Sequence, residues 1–171
     1  MTRSLIIGLV VLPGTGVVFI PGLLLCVFAG TPWTHTPRGL LSPLFVLGLV
    51  PLACGNLLAV STVRMFIRRG NGTPAPWAPP QSLVIRGPYC HVRNPMITGV
   101  FLILAGEALL LGSWPIFGWL LAFVTLNLVY MPAVEEPDLL RRFGDPYREY
   151  CANVPRWVPR LRAWTPPAPP A

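Results

Sequence analysis

Two adjacent carboxylates, Glu135 and Glu136, follow a long apolar stretch of the chain. A second polar stretch, RGPYCHVRNPMITG at residues 86–99, stands directly before another apolar stretch and contains Arg93 and Asn94. Carboxylates and a guanidinium bind small charged ligands through charge-assisted hydrogen bonds. If the two polar stretches meet in the fold, they form a site suited to a zwitterionic ligand from water and an apolar partner from lipid.

Apolar segments must bring these polar stretches together. A membrane-spanning helix needs enough apolar residues to cross a hydrocarbon core of roughly 30 Å. Four segments meet this requirement, at about residues 5–29, 40–63, 95–112 and 115–134. The short turn Gly112-Ser113-Trp114-Pro115 makes the last two an antiparallel hairpin. The hairpin is expected to place Arg93 and Asn94 near the glutamate pair.

The composition is that of an integral membrane protein. The sequence is 53% hydrophobic and 11% charged, with a mean hydropathy of +0.60. Soluble domains carry roughly 25% charged residues. We therefore predict an all-α fold with four transmembrane helices, forming a single membrane domain over residues 1–171.

The arginines predict the orientation in the membrane. With a cytoplasmic N-terminus, all of the 13 basic residues except Arg38 lie on the cytoplasmic side, which is a strong positive-inside signal. We therefore expect a plasma or inner membrane protein with both termini in the cytoplasm. The arginines stand at the ends of apolar segments and form no soluble basic face, so nucleic acid is not an expected partner.

The remaining segments are polar or irregular. Residues 70–85 read as a Pro-rich cytoplasmic loop, and residues 164–171 as a disordered tail. Residues 135–160 read as a cytoplasmic interfacial segment with two short amphipathic helices, which begin at Glu136-Pro137 and Asp145-Pro146. The four cysteines have no metal-ligand spacing, so we predict free thiols and no metal site.

Three motifs, VRNPMITG, EEPDLLRRFGDPYREY and NVPRWVP, together resemble the integral membrane methyltransferases of the isoprenylcysteine carboxyl methyltransferase and phospholipid N-methyltransferase families. The first family carries Arg-His-Pro-x-Tyr-x-Gly before a helical hairpin, then Glu-Glu, Phe-Gly-x-x-Tyr-x-x-Tyr and Val-Pro. The second family has an Asn-Pro-Met version of the first element. Over residues 86–159 this chain supplies Arg93, Asn94, Pro95, Met96, Gly99, Glu135, Glu136, Phe143, Gly144, Tyr147, Tyr150, Val154 and Pro155.

The resemblance implies S-adenosylmethionine as the methyl donor. The glutamates would then accept hydrogen bonds from its ribose hydroxyls or ammonium group, and Arg93 would hold its carboxylate. Tyr147 and Tyr150 would offer aromatic faces to the adenine or to the cation. The implied catalytic residues are Glu135, Glu136 and Arg93. The implied cofactor-binding residues are Arg93, Asn94, Pro95, Gly99, Glu135, Glu136, Tyr147 and Tyr150.

The expected acceptor is a lipidic or isoprenoid small molecule that enters from the membrane lipids. Asn94 replaces the His of the isoprenylcysteine pattern, and Ile97 replaces its Tyr, so a titrating group and a hydroxyl are lost. Two alternatives stay open: an NADPH-dependent membrane reductase of the sterol-reductase type, and a non-catalytic membrane protein of the same fold. The sequence specifies no oligomeric state.

The same polar residues also have purely structural interpretations. Glu135 and Glu136 can pair with Arg141 and Arg142 as surface salt bridges of little energetic value. Glu107, an acid inside the third apolar segment, is a functional candidate by its position. Its structural alternative is a hydrogen bond that bridges to Asn56 or Asn127 on other segments.

Overall fold

The computed structural model describes residues 14–34, 42–69 and 83–166 of the chain. Every extended regular element in these ranges is helical, which confirms the all-α prediction for them. The helices are α1 (Ile20–Val27), α2 (Pro43–Arg69), α3 (Pro95–Leu110), α4 (Trp114–Tyr130), α5 (Glu136–Phe143) and α6 (Asp145–Asn153). A π-helical turn precedes α1 at Thr15–Phe19, and a second one joins α4 to α5 at Met131–Glu135.

Two stretches of the described residues are long and apolar enough to cross a membrane, Pro43–Met65 and Trp114–Phe143. Two shorter apolar helical stretches, Thr15–Val27 and Pro95–Leu110, fall below that length. Large apolar side chains such as Leu57 lie exposed on the outer surface, as expected where lipid covers a helix. Two of the four predicted spans are thus candidates by length and composition, and the other two stay predictions. The predicted first span also begins outside the described residues.

Helices α2 and α3 run antiparallel and approach closely through glycines. A Cβ atom on Gly55 would lie 2.7 Å from the carbonyl oxygen of Gly99, and one on Gly106 would lie 2.8 Å from the backbone nitrogen of Leu52. Small residues allow such approach between membrane helices. This packing places the N-terminus of α3, where Arg93 and Asn94 stand, beside the C-terminal half of α2.

The opposite end of the bundle is closed by contacts between two turns. The backbone N–H of Trp114 donates to the Trp33 carbonyl at 3.0 Å, and Thr34 forms an isolated bridge with Ser113. The indole N–H of Trp119 on α4 donates to the Gly16 carbonyl at 2.9 Å. The segment before α1 therefore packs against α4, over a core that includes Leu104 and Leu120.

Ser113 caps the N-terminus of α4. Its side-chain oxygen accepts a hydrogen bond from the Ile116 N–H at 3.4 Å, and the residue is buried. Ser113→Ala removes this acceptor and is expected to lower the free energy of unfolding by about 1 kcal/mol. Thermal unfolding in detergent checks this, with Ser61→Ala as the control because the exposed Ser61 hydroxyl only donates within α2. Equal stability of the Ser113→Ala and Ser61→Ala proteins would contradict the capping role.

The chain leaves α4 through the π-helical turn, which ends two residues before Pro137. Proline has no N–H and crowds the carbonyl four residues earlier, so a widened turn relieves a regular helix at this point. Helix α5 ends at Phe143. The next residue, Gly144, has a φ of 60°, which glycine adopts without steric strain, and α6 begins directly after it. The predicted starts of the two short helices at Glu136 and Asp145 are confirmed.

Candidate functional site

The site lies where the N-terminus of α3 meets the junction of α4 and α5. Arg93 and Asn94 stand directly before α3, Glu135 ends the π-helical turn and Glu136 begins α5. The Nη1 atom of Arg93 lies 2.7 Å from Oε1 of Glu136. The predicted meeting of Arg93 with the glutamates is therefore confirmed for Glu136, across 43 residues of sequence.

A second arginine completes this cluster. Arg156 forms a bidentate pair with Glu136, since its Nε donates to Oε1 and its Nη2 to Oε2, each at 2.7 Å. The Arg93, Glu136 and Arg156 side chains are 12%, 18% and 29% exposed. The hydrogen bonds to Glu136 raise the pKa of the Arg156 guanidinium. In the sequence, Arg156 stands out only as one residue of the NVPRWVP motif.

The alternative in which Glu136 pairs with Arg141 or Arg142 is wrong. These two arginines pair instead with Asp138, at 3.6 and 3.8 Å, on the exposed face of α5. The reason is helical geometry, because residues three and four positions apart share a helix face. Glu136, at the start of α5, points toward Arg93 and the C-terminal segment.

Glu135 differs from its neighbour. It is partly buried, yet within the part of the chain that the structure describes its carboxylate has no hydrogen-bond or ion-pair partner. Burial is the main cause of the raised pKa of the Tyr89 phenol, and the negative charge of Glu135 raises that pKa further. Glu135 therefore lies close to Tyr89. A partly buried carboxylate without a partner is an acceptor open to a ligand.

Arg93 also keeps an unused donor. Its Nη1 contacts both Glu136 and the Cys151 sulfur, the latter at 2.9 Å, and its backbone N–H donates to the Pro155 carbonyl. Its Nε is buried and has no acceptor among the described residues. A buried charged donor without an acceptor is costly, so this atom fits a ligand that brings one.

The C-terminal segment, residues 154–164, covers the 3-10 helical turn Gly87–Cys90 and the residue after it, before α3. The Arg160 N–H donates to the His91 carbonyl at 3.0 Å, and the Trp164 N–H donates to the Cys90 carbonyl at 2.9 Å. Trp164 also lies against Tyr150, with ring centroids 6.1 Å apart. Trp164, the first residue of the predicted disordered tail, thus has fixed partners. Residues 167–171 and most of the predicted Pro-rich loop, 70–82, lie outside the described residues.

The two tyrosines of α6 lie in a small core. Tyr147 and Tyr150 are buried with Val154, and the Tyr150 hydroxyl donates to the Tyr89 carbonyl at 2.8 Å. Burial raises the pKa of both phenols, which keeps them neutral at physiological pH. This packing gives both tyrosines a structural role, and their predicted contact with the cofactor stays a prediction.

The other predicted cofactor residues stand on either side of the first turn of α3. Asn94 precedes the helix and makes no side-chain cap, which leaves its amide available. Pro95 is fully buried at the first helical position. Gly99 faces Gly55 and Ala59 of α2. Helix packing therefore gives this glycine a structural role, and its predicted contact with the cofactor stays a prediction.

Glu107 does not form the bridge of its structural interpretation within the described residues. One of its carboxylate oxygens is buried without a hydrogen-bond partner there. Asn56 donates instead to the Leu52 carbonyl of its own helix, and Asn127 to the Phe123 carbonyl of its own helix, each at 2.8 Å. Each amide nitrogen thus bonds to its own helix, and no hydrogen bond joins either asparagine to Glu107 among the described residues.

Comparison with known proteins identifies the family. A search of curated proteins found no match to this chain. A family model described as phospholipid methyltransferase matches residues 43–146, from the first residue of α2 into the start of α6. The match includes Arg93 and both glutamates, whereas Arg156 lies beyond it. Because the matched residues are more than half of the sequence, the chain belongs to the phospholipid methyltransferase family, which indicates a methyltransferase for a lipid-type substrate.

Proposed function

We propose that this protein is an S-adenosylmethionine-dependent methyltransferase. Its acceptor is lipidic or isoprenoid, and transfer takes place at the cytoplasmic face of the membrane. One observation carries the proposal: the carboxylate of Glu135 and the Nε of Arg93 both lack partners among the described residues, at the meeting point of apolar helices. Membership in a methyltransferase family supports the same conclusion.

The free groups of the site fit the methyl donor. Its sulfonium supplies an already activated methyl group. Glu135 can accept hydrogen bonds from the ammonium or the ribose hydroxyls, and Arg93 can donate to the carboxylate. The Asn94 amide offers both a donor and an acceptor. The site thus offers both an acidic and a basic group, as a zwitterion requires.

The residues have little covalent chemistry to perform. Methyl transfer is an in-line displacement at carbon, so the protein's main tasks are alignment and exclusion of water. A carboxylate acceptor needs no base, whereas an amine acceptor must lose a proton, which Glu135 can accept. Asn94 cannot titrate, which leaves a glutamate of the site as the base for this proton.

The proposed orientation places the site and both termini in the cytoplasm. In support, Arg64, Arg86 and Arg148 stand at the same end of the helices as the site. The turn at Ser113 and its contact with Thr34 lie at the other end. A cytoplasmic site receives a water-borne cofactor, while the apolar acceptor reaches it sideways from the bilayer.

A labelling experiment tests the proposal. The purified protein is incubated with methyl-deuterated S-adenosylmethionine and a lipid extract of its own host, and the lipids are searched for the deuterated methyl group by mass spectrometry. We expect one labelled lipid class with the wild type and at least about tenfold slower labelling with Glu135→Gln, which loses a charge-assisted acceptor. Glu149→Gln is the matched control, because Glu149 is exposed on α6.

Two results would contradict the proposal. One is the absence of any labelled lipid together with no binding of S-adenosylmethionine by the wild type. The other is specific binding of NADPH in its place, which would favour the reductase alternative. Lipids from a deletion strain provide a check in cells. The methylated lipid of the parent strain should be replaced there by a form that is lighter by the mass of one methylene group.

A further inference from the structure

We propose that Glu136 and Arg156 are positioning residues, which hold the Arg93 guanidinium where it receives the carboxylate of the methyl donor. The inference rests on the proposed function and assigns different tasks to the two adjacent glutamates. Glu135 contacts the cofactor, and Glu136 acts only through Arg93. Arg156, beyond the part of the chain that matches the family model, becomes part of the binding machinery.

The first support is that Glu136 is already fully engaged. Its Oε1 accepts from Arg93 and from Arg156, and its Oε2 accepts from Arg156. These are short charge-assisted hydrogen bonds, and the side chain is mostly buried. Contact with a cofactor ammonium would require Glu136 to give up a bond and leave an arginine unpaired, which is costly in a buried place.

The second support is the charge left over. Two guanidinium cations share one carboxylate, so the cluster retains one net positive charge. One buried donor of this cluster, the Nε of Arg93, has no acceptor among the described residues. An anionic acceptor satisfies both the charge and the donor. The cofactor carries an ammonium and a carboxylate on one carbon, and we assign the ammonium to Glu135 and the carboxylate to Arg93.

The third support is where Arg156 comes from. It belongs to the C-terminal segment, and the carbonyl of the preceding residue, Pro155, accepts from the Arg93 backbone N–H at 2.9 Å. The segment therefore holds Arg93 twice, once by its backbone and once through Glu136. Loss of Arg156 leaves Glu136 with a single bond from Arg93, and the guanidinium is no longer fixed in one orientation.

A ligand that lacks only the carboxylate provides the test. Dissociation constants are measured for S-adenosylmethionine and for decarboxylated S-adenosylmethionine, using the purified full-length protein in detergent. We expect the wild type to prefer the complete cofactor by about tenfold or more, the value of one charge-assisted contact. Arg156→Gln should remove most of this preference by weakening only the complete cofactor. Arg156→Lys should restore part of it, since an ammonium keeps the charge without the fork.

Glu135→Gln is the matched control, because it should weaken both ligands to the same extent and leave their ratio unchanged. A general disturbance of the fold would also weaken both ligands equally. If Arg156→Gln does not yield folded protein, Arg156→Lys gives the ratio. An unchanged ratio in the Arg156 variants overturns the inference while the proposed function stands. A wild type that binds neither ligand overturns the proposed function itself.

Discussion

Replacement of Glu136 by alanine is expected to lower the free energy of unfolding by about 3 kcal/mol, because it leaves two partly buried guanidinium groups side by side without their counter-charge. The two cations then repel each other, and neither has another carboxylate partner among the described residues. The loss should appear as a lower unfolding temperature in detergent. Glu136→Gln keeps one acceptor oxygen and should lie between the wild type and the alanine variant.

Asp138→Ala is the control for this prediction. Asp138 also pairs with two arginines, but its distances are 3.6 and 3.8 Å and its side chain is 53% exposed. Exposed ion pairs of this kind contribute at most about 1 kcal/mol. Equal destabilisation by Asp138→Ala and Glu136→Ala would show that the Arg93–Glu136–Arg156 cluster has no special importance for stability.

The hairpin and its polar end could be predicted because their signals are local. A short turn at Gly112 and Ser113 between two apolar segments leaves an antiparallel arrangement as the only compact solution. That arrangement brings Arg93 to the glutamates whatever the details of packing. The starts of α5 and α6 were equally predictable, since each has Pro at its first turn and Gly144 separates them.

The partner of Glu136 could not be predicted in the same way. Arg141 and Arg142 are nearer to it in sequence, yet the pair forms with Arg93 and Arg156, which are 43 and 20 residues away. The direction of the chain after α6 decides this outcome. Residues 154–164 have no regular period, so only the motif NVPRWVP, with its buried Val154, pointed to a fixed segment here.

Gly99 has a packing role that the motif does not reveal. The resemblance assigns it to cofactor binding, which stays a prediction, and the structure places it against α2. A second signal was present in the sequence, because Gly48 and Gly55 on α2 and Gly99 and Gly106 on α3 are each spaced by two helical turns. Such spacing puts both glycines of a helix on one face. The sequence could not show that these two faces pack together, because the Pro-rich segment after α2 carries no signal for where the chain goes next.

Gly55→Ala is expected to destabilise the protein by about 2 kcal/mol through overpacking. The new methyl group would lie 2.7 Å from the Gly99 carbonyl oxygen and 2.8 Å from the backbone nitrogen of Ile103. These are backbone atoms of α3 and cannot rotate away, so the two helices must separate. Unfolding temperature measures the loss, and weaker binding of S-adenosylmethionine should accompany it, because Arg93 moves with the N-terminus of α3.

Gly118→Ala separates this effect from the general consequences of replacing a helical glycine. Gly118 lies on the exposed face of α4, and a Cβ there meets no atom within 4 Å. Alanine favours a helix by up to about 1 kcal/mol over glycine, so this variant should be as stable as the wild type or more so. The same gain in helix propensity is expected at both positions. Any net loss of stability in Gly55→Ala therefore shows that the clash costs more than this gain. If Gly55→Ala is as stable as Gly118→Ala, close approach of the α2 and α3 backbones does not position the site.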